Sequence, residues 1–264
     1  MSASGGFITF PATLRVIDQP YLSLIVPVFN GALRLPGSLE QLREFLGSRP
    51  YSWELVLVDD HSDADAAAAL DAFASEVPCV SVLRNDRNMG KGFSVRRGML
   101  AAHGAYRVFT DADLAYPAVE VDKILAALER GADVAVACRV LLESRYIMSP
   151  SFFSYLYTRH VMSRCFNALV RWTLIPHVLD TQAGLKGFSA RAAEVVFPRL
   201  TIPGFAFDVE ALLIAGKHRL RIEQTAVTYR YDQEPTTVRF TKDALTMARD
   251  LVRIGVNHWR RRYD

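Results

Sequence analysis

The chain has 264 residues, half of them apolar, and a formal net charge of +3. That length buries one large core, or one core with a small appended subdomain. The charge excess is too small to argue for nucleic acid, and no Arg/Lys-rich segment carries the interleaved aromatics of a base-stacking platform. Cys79, Cys138 and Cys165 form no C-x-x-C pair and leave an odd number, which argues against a disulfide framework or a zinc knuckle and favours a reducing, cytoplasmic compartment.

In chain order, residues 1–20 read as a loose lead-in with no basic segment ahead of an apolar block, so no signal peptide is expected. Residues 21–264 read as a single domain whose first half, 21–138, alternates short β-rich runs with helical stretches. The runs are Leu22–Val28, Glu54–Val58, Val80–Leu83, Tyr106–Thr110 and Asp133–Cys138. Helical spacing joins Leu39, Leu42, Phe45 and Leu46, and again Leu70, Phe73 and Val77. Pro117 is expected to open a helix with Val121, Ile124, Leu125 and Leu128 on one face, and Gly131 to end it. This β-α-β order predicts an α/β fold with a mostly parallel central sheet flanked by helices.

The second half, 139–264, is less regular. Ser151 to Ile175 reads as a long aromatic-rich helix on which His160, Arg164, Asn167 and Arg171 fall on one stripe. Two readings stand for it: a helix lying on a bilayer surface with its arginines at phosphates, or a core-packed helix with a solvated cationic face. Asp208 to Ala215 is a shorter helix stopped by Gly216, and Val227, Tyr229 and Tyr231 alternate as a strand does. A final amphipathic helix, Thr241 to Trp259, has Ala244, Met247, Leu251 and Ile254 as its core face and runs into Arg260, Arg261 and Arg262. No stretch holds the roughly 18–20 consecutive apolar residues of a spanning helix.

Ligands of open α/β sheets bind outside the carboxyl ends of the strands, so the polar residues there carry the chemistry. Asp111-Ala112-Asp113 follows the fourth run. Neighbouring carboxylates repel, and a shared Mg²⁺ or Mn²⁺ relieves the repulsion while bridging to a diphosphate. The alternative is a pair of solvated loop carboxylates, or Asp113 as a helix cap. Asp59 and Asp60, after the second run, fit hydrogen bonds to a nucleoside or, alternatively, a cap for the next helix. Asn88-Met89-Gly90-Lys91-Gly92 opens a helix with small residues and a cation, a place for phosphate or else a plain turn. A Walker A loop and a G-x-G-x-x-G after the first strand are both absent, which argues against nicotinamide and flavin chemistry.

These motifs together resemble the family 2 glycosyltransferases of the GT-A fold, a Rossmann-like nucleotide-diphospho-sugar transferase fold. The carrying residues are Ile25-Val26-Pro27-Val28-Phe29-Asn30, Leu57-Val58-Asp59-Asp60-His61-Ser62, Asn88-x-Gly90-Lys91-Gly92, Asp111-x-Asp113 and Asp180-Thr181-Gln182-Ala183-Gly184-Leu185-Lys186. The dolichyl-phosphate β-glucosyltransferase group is the nearest in pattern, with other polyprenyl-phosphate transferases next. The resemblance implies that Pro27, Asn30, Asp59, Asp60, Gly90 and Lys91 serve the nucleotide and that Asp111 and Asp113 hold the metal and diphosphate. It further implies that Arg139 faces phosphate and that Asp180 and Gln182 lie near sugar and acceptor, with Asp208 and Glu210 on a helix lining the sugar pocket. Arg164 and Arg171 are expected on the acceptor side.

The implied reaction is an inverting, single-displacement transfer of a hexose, glucose from UDP-glucose in the favoured case and a GDP-sugar otherwise. The implied acceptor is a polyprenyl phosphate, placing the enzyme peripherally on the cytoplasmic face of a membrane in cell-envelope or dolichol chemistry. Asp180 or Asp208 would act as base only for a hydroxyl acceptor. Three other readings stay open here: a soluble hydroxyl acceptor, a silent nucleotide-sugar-binding domain, and a nucleotidyltransferase. The chain departs from the family pattern at Gly31, where the family carries Glu, at His61, where it carries Gly, and at Cys138, where Ser is common.

Overall fold

A computed structural model describes residues 19–148, 170, 171, 174–231 and 240–264. The helix expected over Ser151 to Ile175 therefore lies almost wholly outside the described residues, as do Arg164 and the lead-in up to residue 18.

Five of the strands rise from the runs read in the sequence: β1 (Leu22–Val28), β2 (Trp53–Asp59), β3 (Val80–Arg84), β4 (Tyr106–Phe109) and β5 (Val134–Cys138). Strand β1 pairs parallel with β2 and β4, and β2 pairs parallel with β3. The residues of β1 other than Pro27 are all buried, as expected of a strand covered on both faces. Its alternate residues divide between two cores. Leu22, Leu24, Val26 and Val28 pack with α1 (Leu35–Gly47), α2 (Ala64–Glu76) and α4 (Glu120–Glu129). Ile25 packs on the opposite face with α3 (Lys91–Ala101), α5 (Ala190–Val196) and α6 (Phe207–Lys217). The period of two in the strand thus sorts its side chains between two helical layers.

The seven-stranded sheet has the order β3-β2-β1-β4-β7-β5-β8, so β4 and β5 are not neighbours. Strand β7 (Lys186–Ser189) is wedged antiparallel between them, and β8 (Ile222–Ala226) extends the sheet parallel to β5. A second sheet pairs β6 (Arg145–Met148) with β9 (Thr228–Tyr231). Strands β6, β7 and β8 were not expected. Each is four or five residues long and β8, Ile-Glu-Gln-Thr-Ala, lacks an apolar run.

Two helix boundaries also differ from expectation. Pro117 starts a tight turn, with Glu120 N–H donating to the Pro117 carbonyl (2.8 Å), and α4 begins at Glu120. Helix α6 passes through Gly216 to Lys217, and the chain turns away at Arg219, whose φ is 55°. Glycine inside a helix is tolerated when the packed face holds the turn in place. Gly131 does end α4 in the left-handed region, with Ala132 N–H bonded to the Ala127 carbonyl (3.2 Å), the paired closure of a glycine-terminated helix. The last helix, α7 (Phe240–Trp259), buries Leu251 and Ile254 as expected and Asn257 with them, while Met247 is half-buried; Tyr263, beyond the helix, is buried too.

Candidate active site

All five parallel-oriented strands β1 to β5 end at the same edge of the sheet, and the motif residues gather there. On the β1–β3 side the polar groups are tied to one another. Asp60 Oδ1 accepts from Asn85 Nδ2 (2.6 Å) and Met89 N (2.8 Å), and its Oδ2 accepts from Gly90 N (2.8 Å). A buried carboxylate with three N–H donors is well compensated, and here it clamps the Asn88–Gly92 loop onto the start of α3. Asp59 accepts from Ser62 N (2.9 Å) and Arg84 Nε (3.2 Å). Asn30, at φ 57°, receives Asp63 N–H on its Oδ1 (2.9 Å) and donates its own N–H to Ser62 Oγ (2.9 Å). Neither aspartate caps the next helix; Asp63 does, through Ala66 N at 2.9 Å. Three seated donors leave one of the Asp60 carboxylate's roughly four acceptor positions open, on Oδ2. Asp59, Asp60 and Asn30 thus tie the loops of this edge to one another. Pro27 is the one partly exposed residue of β1, near its carboxyl end.

Gly90 shows why this loop needs glycine. Its φ is 94°, and a Cβ there would lie 2.6 Å from the Pro203 carbonyl oxygen. The loop before α6 thus lies directly on the Gly90 backbone, joined by Phe93 N–H to Pro203 O (3.1 Å).

Lys91 Nζ lies 2.5 Å from Asp111 Oδ1. Burial pulls this ammonium down, but Asp111 and Asp208 outweigh it and hold the lysine charged above its ordinary range. The cation relieving repulsion in the acid pair is therefore Lys91. Asp111 is pressed against Gly184, where a Cβ would fall 2.0 Å from Oδ2. Asp113 is exposed, and its Oδ1 accepts from Ala115 N (3.0 Å). The pair also fits a divalent cation. Among the described residues no third His, Cys, Asp or Glu joins a metal-binding group, and Mg²⁺-like ions use one or two carboxylates with waters and substrate phosphates completing the shell.

Across the floor, Asp180 grips Arg139. Its Oδ2 accepts from Arg139 N (3.0 Å) and Nε (2.7 Å), and its Oδ1 from Nη2 (2.9 Å). Burial alone would raise the Asp180 carboxyl; the Arg139 guanidinium and its hydrogen bonds win, holding it below the usual carboxylate range. Between these two pairs lies a third. Lys186 Nζ is 2.6 Å from Asp208 Oδ1 and 2.5 Å from the Ala183 carbonyl, with no exposed surface. Burial lowers the Lys186 ammonium and raises the Asp208 carboxyl, each only partly offset by the other. The floor is a row of alternating charges: Asp111, Lys91, Asp208, Lys186, Asp180, Arg139.

Two polar atoms in this region have no hydrogen-bond partner among the described residues, Tyr116 Oη and Gln182 Nε2. The Tyr116 ring stands 4.9 Å from that of Tyr229, over which Arg139 lies at 5.3 Å. Burial keeps the Tyr116 phenol firmly protonated.

Glu210, expected in the sugar pocket, is instead fully engaged elsewhere. Its carboxylate accepts from Thr201 N (2.8 Å), Thr201 Oγ1 (2.6 Å), Ile202 N (2.8 Å) and Tyr263 Oη (2.6 Å). With four donors on two oxygens it anchors the 201–204 loop and the chain's end to α6. Arg171 is exposed on a helical segment. Lys186 was missed as a site residue, although a lysine flanked by Leu185, Gly187 and Phe188 in an otherwise apolar run needs a buried partner, and that signal stands in the sequence. Tyr116 left no such trace.

A mostly parallel sheet with one antiparallel strand inserted beside the strand that delivers an acid pair is the GT-A architecture, the fold of nucleotide-sugar transferases. The chain belongs to glycosyltransferase family 2: residues 23–186 match the profile described as Glycosyl transferase family 2. It is a glycosyltransferase. It is similar to the dolichyl-phosphate beta-glucosyltransferase of Drosophila melanogaster, 34% identical over 95% of this chain and 79% of the relative. The Dictyostelium discoideum protein of the same name is 31% identical over 90% and 75%. In fold it resembles Mycobacterium tuberculosis glucosyl-3-phosphoglycerate synthase, with a TM-score of 0.62 and 18% identity over 89% of this chain and 80% of that one. The same synthase has been crystallised with Mn²⁺, UDP and glucosyl-3-phosphoglycerate, a structure that matches with a TM-score of 0.60 at 17% identity over 89% and 80%.

Proposed function

We propose that the protein is an inverting, divalent-metal-dependent glucosyltransferase that moves glucose from UDP-glucose to a polyprenyl or dolichyl phosphate, working peripherally on the cytoplasmic face of a membrane. The observation that carries this reading is the row of alternating charges, with Lys91 beside the acid pair at one end and Arg139 at the other. Two phosphate-bearing ligands entering from opposite sides would each meet a cation. The names of the relatives, which share about three quarters of their length with this chain, support the sugar and the acceptor. Among the described residues no helix is long and apolar enough to cross a membrane, so the reading uses peripheral contact.

A divalent cation bound at Asp111 and Asp113 would supply Lewis-acid neutralisation of the departing diphosphate. Lys91, already charged and held at Asp111, adds a second positive group to the same end. Arg139 exchanges its bidentate partner, releasing Asp180 to meet the acceptor phosphate with the same planar fork. A lipid phosphate has a second pKa of about 6, so its oxyanion needs no strong base. That suits this site, because Asp180 is held in its weakly basic, ionised form and Asp208 is sealed against Lys186. Both aspartates serve as holders of cations, and nucleophile strength comes from the substrate.

The test is turnover of UDP-glucose with Mn²⁺ and a water-soluble short-chain polyprenyl phosphate, with GDP-sugars in parallel. Glucosyl phospholipid and UDP are the expected products. Release of pyrophosphate, or transfer to hydroxyl acceptors alone, contradicts the reading.

A further inference from the structure

Large apolar side chains face solvent on the segments that leave the sheet edge carrying this site. Leu33 is 100% exposed and Phe29 44%, both in the loop after β1; after β5, Leu142 is 99% exposed and Val140 43%. Ile147 on β6 and Phe205 in the loop over Gly90 are also exposed. These positions are far apart in sequence but share one edge. The loops after β1 and β5 leave the carboxyl end of the sheet, as the loop carrying Asp111 does. Strand β6 is held beside Arg139 by Ser144 Oγ on the Cys138 carbonyl (2.6 Å) and Tyr146 Oη on the Arg139 carbonyl (2.7 Å). Phe205 follows Pro203 and Gly204, which rest on the start of α3.

Exposed arginines stand among them: Arg34 next to Leu33, Arg145 at the start of β6 and Arg230 on its partner strand β9. Exposed apolar side chains and exposed arginines on loops and strands that follow the carboxyl ends of β1 and β5 complement a bilayer surface, where acyl chains receive the apolar tips and anionic headgroups receive the arginines. Tyr146, beside Ile147 on β6, is exposed as well; the other exposed large apolar side chains among the described residues are Leu100, Val119 at the start of α4, and Val252, Val256 and Trp259 on the outer face of α7.

We propose that this rim is the membrane-docking surface, inserting Phe29, Leu33, Val140, Leu142, Ile147 and Phe205 shallowly into a lipid bilayer so that the mouth opens at headgroup level. The inference rests on the lipid-acceptor reading above and names the face that reading requires. A polyprenyl phosphate then presents its phosphate to Arg139 while its tail stays in the membrane.

The double variant Leu33→Asp/Leu142→Asp tests this directly, because both side chains contact almost nothing and their loss leaves the fold intact. Flotation with phosphatidylcholine vesicles, with and without phosphatidylserine, is compared with turnover on the water-soluble short-chain acceptor. The wild type is expected to float, more so with phosphatidylserine. The double variant should lose membrane affinity by about tenfold or more, with turnover on the soluble acceptor retained. Flotation equal to wild type in the double variant overturns the rim. So does loss of flotation on Trp259→Ala alone, which would assign the contact to α7. A wild type that turns over the soluble acceptor yet floats with neither vesicle gives the rim to a protein partner and ends the lipid assignment. Absence of turnover on the soluble acceptor, by contrast, counts against the acceptor reading itself.

Discussion

The Lys186–Asp208 and Arg139–Asp180 ion pairs use the same chemistry in different surroundings. Lys186 and Asp208 have 0% and 6% of their side chains exposed, and Lys186 is also held by the Ala183 carbonyl. Arg139, at the end of the charged row, keeps 17% exposure, while its partner Asp180 is closed in. A sealed pair holds structure, because opening it strands a charge with no water to receive it. A pair with one open flank can exchange partners with an arriving phosphate at small desolvation cost. Solvent access at the cation, more than the identity of the pair, therefore decides which of the two can take part in the proposed transfer.

Breaking the sealed pair gives the largest expected effect. Lys186→Met leaves Asp208 buried and unpaired and should lower unfolding free energy by about 3–5 kcal/mol, read by denaturant titration. Lys186→Met/Asp208→Leu should recover most of that loss, which separates the stranded charge from the lost pair. In the open-flanked pair, Arg139→Lys keeps the charge and loses the fork. Turnover should fall by about 10²-fold while stability moves by no more than about 1–2 kcal/mol; equal damage to both would erase the distinction drawn here. Gly184→Ala, whose Cβ would meet Asp111 Oδ2 at 2.0 Å, should displace that carboxylate. It should weaken Mn²⁺-dependent UDP binding by about tenfold, with a stability loss of about 1–3 kcal/mol.

The pH dependence sharpens the same contrast. The folded Asp180 carboxyl lies below its ordinary value of 3.8, so its stabilising contribution is full above that value and is lost as pH falls through the depressed folded range. Asp180→Asn should flatten the acid limb of a stability profile there. Tyr116→Phe is the smallest expected effect. It removes a buried hydroxyl with no partner, and should raise stability by about 1 kcal/mol in a thermal melt.

The donor half was legible because each of its strands is a buried parallel run followed by its motif, so β1 to β5 and the acid pair could be read from periodicity and turns. Sequence could not show that Asp60 spends its carboxylate on the Met89 and Gly90 amides, since those contacts are set by loop closure across 29 and 30 residues. Nor could it show that Lys91 serves as counter-ion to Asp111, a pairing between separate loops of the sheet edge. Strand β7 was hidden because its four residues run against the local alternation, and its hydrogen-bond partners in β4 and β5 lie 50 or more positions earlier. The contacts of Glu210 were hidden for a related reason. Its four donors come from residues 201, 202 and 263, and only the fold brings the last of these to α6.

The most direct measurement is a crystal structure with UDP, Mn²⁺ and a short-chain polyprenyl phosphate. The cation is expected at Asp111 and Asp113 and the Arg139 guanidinium turned from Asp180 to the acceptor phosphate, with Lys186 still on Asp208. An acceptor phosphate bound away from Arg139, with the Arg139–Asp180 pair intact, would contradict it.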